Sequence, residues 1–325
     1  MEKKDLRIVY MGTPKFAVAP LKRLVEEGYS VIGVITSPDR PAGRGYKVRP
    51  SAVKEYAVSQ NLPLLQPVKL KDPDFLEQLK AWKADLQIVV AFRMLPEVVW
   101  AMPRLGTFNL HGSLLPQYRG AAPIHWAVIN GEKETGVTTF FLDHDIDTGK
   151  IILQRKVPIN ETDNTGIIHD KLMELGADLV VDTVDAILSD SIDSIPQEHL
   201  IEGELKKAPK LFRENCKVNW KQSVEQIYDQ IRGLAPYPSA WSSMYIPKDE
   251  KTVDVKIFSS KKIVEEHNHA PGSVLTDGKE FLWIAAPDGF ISILEIQFPG
   301  KKRLNIEDLL RGYEITNDFY MLTEY

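Results

Sequence analysis

Short apolar runs alternate with stretches of helical spacing through the first half of the chain. Residues 6–11 form a compact apolar run ended by Gly12, Thr13 and Pro14, and Phe16, Leu21, Leu24 and Val25 then recur at the spacing of one helix face. Val31–Ile35 reads as a second buried strand, residues 86–91 as a third after the amphipathic stretch 75–82, and residues 107–110 as a further one. Strands alternating with helices predict an α/β domain built on a parallel, doubly wound sheet. Ligands of such sheets sit outside the carboxyl ends of the strands, which places residues 12–16, 36–50, 92–96 and the stretch after Leu110 on the functional rim. Residues 136–142 and 151–157 are β-rich and flank the polar loop 143–150. Thr165–Leu188 keeps helical spacing in Ile168, Leu172, Leu175, Leu179 and Val180 and closes a first domain over 1–188.

The pattern then changes. Residues 189–208 are rich in Ser, Asp, Pro and Lys and lack a sustained period, as a linker does. Over 209–325 one helix at 224–231 precedes short strands at 253–258, 272–275, 281–285 and 290–294, with turn signals at 276–278 and 287–289. Short strands closed by such turns predict a second domain that is a small β barrel.

Composition narrows the function. With 43% hydrophobic and 26% charged residues over 325 positions, each half can bury a core. No amino-terminal secretory pattern is visible, and the apolar runs fall far short of the roughly 20 residues that span a bilayer, so a cytoplasmic protein without membrane contact is expected. Cys216 is the single cysteine and is read as a small buried side chain. A net charge of −5 argues against indiscriminate coating of nucleic acid. Two basic stretches allow local RNA contact: Arg40, Arg44, Lys47, Arg49 and Lys54, and Lys206, Lys207, Lys210, Arg213 and Lys217. The 36–50 loop, dense in Gly, Pro and Arg, is expected to order on binding.

The densest polar cluster is 109–123. At a strand end, Asn109 and His111 lie two residues apart and face the same way. An amide donor beside an imidazole suits a developing oxyanion, and His111 can also move a proton near neutral pH. A carboxylate should fix the ring; Asp147 is the natural candidate, with Asp143 and Asp145 competing on composition alone. His125 and His144 add metal-ligand types, but no zinc-helix spacing occurs and no metal is expected. Residues 12–16 lack the three-glycine fingerprint of a nicotinamide enzyme.

Taken together, residues 11–17, 37–45, 109–123, 134–137, 147–149, 208–211 and 236–241 resemble the methionyl-tRNA formyltransferase family over nearly the whole chain. The resemblance implies a Rossmann-like catalytic domain and an oligonucleotide-binding-like barrel. It implies transfer of a formyl group from 10-formyltetrahydrofolate to the amino group of methionyl initiator tRNA, by a monomer. Asn109, His111 and Asp147 match the catalytic trio: the first two stabilise the oxyanion and Asp147 orients His111. Ser113, Leu114, Leu115 and Pro116, with Phe92, Met94, Leu95 and Asp143, match the folate-binding positions. Arg44 matches the residue that meets the tRNA acceptor end, and Arg40, Lys47, Lys206, Lys207, Lys210 and Arg213 extend the tRNA contact. The family's Ala-Tyr-Gly before the folate-pocket Leu-Pro is replaced here by a shorter segment carrying Arg93, and residues 209–325 sum to −2 rather than to a basic charge. Rival readings are a formyltransferase for a small amine or sugar nucleotide, and a non-catalytic RNA-binding protein.

Overall fold

The computed structural model describes residues 2–42 and 47–323. The chain forms two compact units, neither contiguous in sequence: Met1–Pro123, Glu134–Val157 and His169–Lys207 make the first, and Ile124–Lys133, Pro158–Ile168 and Ala208–Tyr325 the second. Against contiguous domains at 1–188 and 209–325, two segments of the amino-terminal half group with the barrel. Residues 189–207, expected as a linker, lie along the first unit, where Ile195 pairs antiparallel with Ile151.

The first unit carries strands β1 (Ile8–Gly12), β2 (Val31–Ile35), β3 (Arg40–Ala42), β4 (Lys47–Arg49), β5 (Leu64–Leu65), β6 (Leu86–Val90), β7 (Thr107–His111), β8 (Arg119–Gly120), β9 (Glu134–Phe141) and β10 (Ile151–Pro158). Seven form one sheet in the order β10-β9-β7-β6-β1-β2-β5. The strands from β7 to β5 run parallel, whereas β9 pairs antiparallel with β7, so the expected parallel sheet carries an antiparallel margin. The central strands are continuous apolar runs because both faces are covered: β1 and β6 are buried at every position. On one face Val9, Met11, Ile35 and Val89 pack with Phe75 and Leu79 of the helix Pro73–Ala81 and with Val99. Asp72 caps that helix, accepting from the amides of Asp74 and Phe75. Gly33 in β2 leaves the space that the Trp82 ring fills; a Cβ there would come within 2.5 Å of it. On the opposite face Leu110 of β7 packs against Gly176 of the long helix Thr165–Leu188. The pleat therefore turns Asn109 and His111 away from that helix. β3 and β4 pair antiparallel within the basic loop, and residues 43–46 between them, Arg44 included, lie outside the described residues.

In the second unit the strands Val274–Thr276, Leu282–Ala286, Gly289–Gln297, Lys251–Val264, Ala240–Ile246 and Tyr320–Met321 follow one another in the sheet. Ser273 bridges to Tyr320, so the sheet curls back on itself as a nearly closed barrel. Strand Ala240–Ile246 has no counterpart in the sequence reading: its inward positions include Ser242, which is fully buried and accepts the Trp220 indole N–H at 2.8 Å, so its alternation is not one of apolar against polar. Helix Val224–Leu234 buries Val224, Ile227, Ile231 and Leu234 on the barrel core, each contributing about 1.5–3 kcal/mol of transfer free energy. Its start is a capping box in which Ser223 and Gln226 satisfy each other's backbone amides. Ser223→Ala is expected to lower stability by about 1 kcal/mol, read as a lower urea midpoint at unchanged m-value.

Candidate functional site

His111 ends β7 with 7% of its surface exposed, its ring edge-on to the buried Phe140 at 6.4 Å between centroids. Its Nε2 lies 3.0 Å from the Tyr118 carbonyl oxygen, which can only accept, so Nε2–H donates there. The other nitrogen, Nδ1, faces Asp147 Oδ2 at 4.0 Å, beyond hydrogen-bond length. Asn109, half-buried two residues earlier on the same face, has no side-chain hydrogen bond among the described residues. Its amide is thus a free donor beside a held imidazole.

The loop between β9 and β10 settles which carboxylate faces the ring. Asp143, His144, Asp145 and Ile146 are exposed, and only Asp147 turns inward, 16% exposed at its side chain. Asp143 Oδ1 accepts from the amide of His144, and His144 faces Glu97 at 3.8 Å. Asp147 has φ of +56°, a left-handed conformation that costs an ordinary residue on the order of 1–3 kcal/mol and persists where its surroundings enforce it. Gly120 N–H donates to Asp147 Oδ2 at 3.1 Å. Two residues on, Gly149 passes so close to Phe141 that an added Cβ would sit 1.7 Å from its carbonyl oxygen, so this turn accepts no side chain there.

The segment after His111 is knitted to β9 through Thr138. Its hydroxyl donates to the Ser113 carbonyl at 2.7 Å and accepts from Leu115 N–H at 3.1 Å and Gln154 Nε2 at 2.9 Å. Ser113 and Leu115 are buried, with Ser113 Oγ donating to the Gln117 carbonyl at 2.7 Å and Leu115 packed on Phe140 and Ile151. Pro116 is buried as well, while Leu114 is half-exposed. At the rim after β6, Met94 is 76% exposed, Phe92 half-buried and Leu95 buried. Arg93 donates to the carbonyls of Pro67 at 2.7 Å and Val68 at 3.0 Å and lies over the Phe92 ring at 5.2 Å. Burial, reinforced by nearby Arg40, holds the Arg93 guanidinium below its ordinary pKa.

Of the basic positions, Arg40 in β3 and Lys206 and Lys207 in the first unit are exposed, and Lys47 opens β4. In the second unit Lys210 lies over the exposed Phe212 ring at 5.4 Å, and Arg213 stacks on Trp241 at 4.5 Å while pairing with Asp254.

Several residues hold the site in ways that side-chain patterns do not report. Tyr118 and Gly120 act through backbone atoms, and Gln197 lies in a stretch without periodicity. Among the described residues, no group of three or more His, Cys, Asp or Glu is placed to hold a metal ion, and no helix is long and apolar enough to cross a membrane.

The first unit is thus an α/β sheet with a polar rim, where Asn109 and a held His111 share one strand end, and comparison with known proteins gives its family. Residues 6–184 match the formyl transferase family and residues 210–314 the formyl transferase C-terminal domain. The methionyl-tRNA formyltransferase of Bacteroides fragilis is 63% identical over 322 residues, covering 99% of each chain, and that of Bacteroides thetaiotaomicron is 62% identical over 322 residues, covering 99% of this chain and 100% of its own. The chain belongs to the methionyl-tRNA formyltransferase family. In fold it resembles the N-formyltransferase of Helicobacter canadensis in complex with folinic acid and dTDP-3-aminofucose, at a TM-score of 0.66 and 22% identity over 89% of this chain and 98% of that one. It also resembles HypX of Aquifex aeolicus in complex with tetrahydrofolic acid, at a TM-score of 0.61 and 20% identity over 94% of this chain and 46% of that one.

Proposed function

We propose that this formyltransferase moves the formyl group of 10-formyltetrahydrofolate to the α-amino group of methionyl initiator tRNA in the cytoplasm, with Asn109, His111 and Asp147 as its catalytic residues. The observation that carries the assignment is the grouping of these three at the carboxyl end of β7, with Asp143 and Asp145 turned to solvent. The amine attacks the formyl carbon and a carbon–nitrogen bond forms, so the carbonyl oxygen becomes an oxyanion. The unpartnered Asn109 amide is the donor available to meet that charge as it develops. The amine must lose a proton and the folate nitrogen must gain one before its bond to carbon breaks; His111, beside Asp147, is the group able to carry it. Folate as donor is supported by the family and by the folate ligands of the two fold neighbours. The pterin would meet the rim at Phe92, Met94 and Leu95, with Asp143 and Leu114 beside it. Contacts from Ser113, Leu115 and Pro116 would then come through backbone atoms, because their side chains are buried within the protein.

The tRNA is proposed to contact Arg40, Arg44, Lys47, Lys206, Lys207, Lys210 and Arg213. Changing both Lys210 and Arg213 to Glu should raise KM for tRNA by about 10- to 100-fold at constant kcat and lower the log-log salt dependence by about 2. An unchanged KM and salt slope would remove these residues from the interface.

The deciding assay follows labelled formyl from 10-formyltetrahydrofolate to methionyl initiator tRNA, beside free methionine, methionyl elongator tRNA and glycinamide ribonucleotide. Selective labelling of the initiator supports the assignment, and labelling of only a small amine overturns the acceptor. Truncation at residue 209 is a poor substitute, because residues 124–133 and 158–168 would lose the unit they fold with.

A further inference from the structure

One buried amide of the first unit has all its hydrogen-bonding positions committed around the site. Gln197, in the stretch after the long helix, is 1% exposed. Its Nε2 donates to the carbonyl oxygens of Asp147 at 2.9 Å and Gly149 at 2.8 Å. Its Oε1 accepts from Arg119 Nε at 3.0 Å and Nη2 at 2.6 Å. Two N–H groups and two lone pairs are the full capacity of an amide. The neighbours of Arg119 on either side reach the same chemistry: the Tyr118 carbonyl accepts from His111, and Gly120 N–H donates to Asp147. Arg119 has no carboxylate partner among the described residues, so Gln197 holds its guanidinium without neutralising it.

The geometry points to Gln197 as a positioning residue for formyl transfer, which fixes the left-handed turn that carries Asp147 and ties it to the Tyr118–Gly120 segment that holds His111. This rests on the assignment of Asp147 under the proposed function. Without the amide, two carbonyls of the turn lose their donors and the distance from Asp147 to His111 is no longer set. The Ile195–Ile151 bridge places Gln197 beside the start of β10, so residues 189–207 act as a strap along the site rather than as a spacer.

Gln197→Glu is the informative change. It keeps the size and the acceptor for Arg119, deletes both N–H donors, and sets carboxylate oxygens against two carbonyls. Gln197→Leu removes both functions. Steady-state formyl transfer, with each variant checked by its thermal midpoint, should show kcat about 10- to 100-fold lower in Gln197→Glu, with KM for donor and acceptor unchanged, as for a misplaced rather than a missing group. In an Asp147→Asn background the same change should cost less than about twofold further, because the two act through one interaction. Wild-type kcat in Gln197→Glu, a loss confined to KM, or full additivity with Asp147→Asn would each overturn the proposal. Should the wild-type protein fail to formylate methionyl-tRNA, the acceptor assignment falls, and the same cycle on whichever amine it does formylate still tests Gln197.

Discussion

Asn109→Ala is expected to lower kcat for formyl transfer by about 100- to 1,000-fold with KM for both substrates near wild type, the loss seen when one oxyanion donor is removed. The side chain is half-buried and makes no hydrogen bond among the described residues, so its truncation leaves no orphaned partner and should change stability by less than about 1 kcal/mol. Rate and stability thus separate at this position. His111→Ala should lose about as much rate, but it also frees the Tyr118 carbonyl that Nε2 satisfies, so its thermal midpoint should fall too. The double variant should be little worse than His111→Ala alone if the two groups serve one transition state, as residues acting as a unit are far from additive. Asp145→Asn is the matching control: its side chain faces solvent, and its rate should be that of wild type. Wild-type turnover in Asn109→Ala would remove the amide from the mechanism, and a loss carried by KM alone would make it a binding contact.

Much of this arrangement is legible from spacing. The pairing of Asn109 with His111 follows from the two-residue period of a strand, and the long helix begins at Thr165 and ends at Leu188 as its apolar period does. The antiparallel placing of β9 beside β7 is not legible, since residue pattern does not report strand direction. The choice among Asp143, Asp145 and Asp147 depends on one left-handed residue and on Gly149 lying against the Phe141 carbonyl, and composition carries neither. Gln197 was hidden for a related reason: its partners are two carbonyl oxygens and a guanidinium, and backbone acceptors leave no trace in side-chain patterns. The same blindness hid the membership of residues 158–168 in the second unit, where they are held through main-chain oxygens.

Those oxygens make Arg232 the residue on which the second unit should depend most. Arg232 and Asp229, one helical turn apart on helix Val224–Leu234, form a pair 2.6 Å long with each side chain 7% exposed. Arg232 Nη1 also donates to the Asp163 carbonyl at 2.9 Å, Thr165 Oγ1 donates to the Gly233 carbonyl at 2.7 Å, and Tyr228 donates to the Glu161 carbonyl at 3.0 Å. Burial pushes the Asp229 carboxyl above the usual carboxylate range, and Arg232 offsets only part of that. Because the folded state holds this proton more tightly than the unfolded chain, the Asp229 carboxyl contributes stability that is fully present below its ordinary value of 3.8 and is lost as pH rises through the raised folded value. Arg232→Met leaves a buried carboxylate without its cation and should destabilise the second unit by about 3–5 kcal/mol at neutral pH. The deficit should shrink on acidification, as Asp229 takes up a proton and its buried charge disappears. Replacing both residues, as Asp229→Leu with Arg232→Met, should recover most of the loss, because the cost lies in an uncompensated charge more than in the missing pair. Urea unfolding of the three proteins between pH 5 and 8 tests this. A deficit in Arg232→Met that stays constant with pH, or a double variant no better than the single one, would place the role of Arg232 in its bond to the Asp163 carbonyl instead.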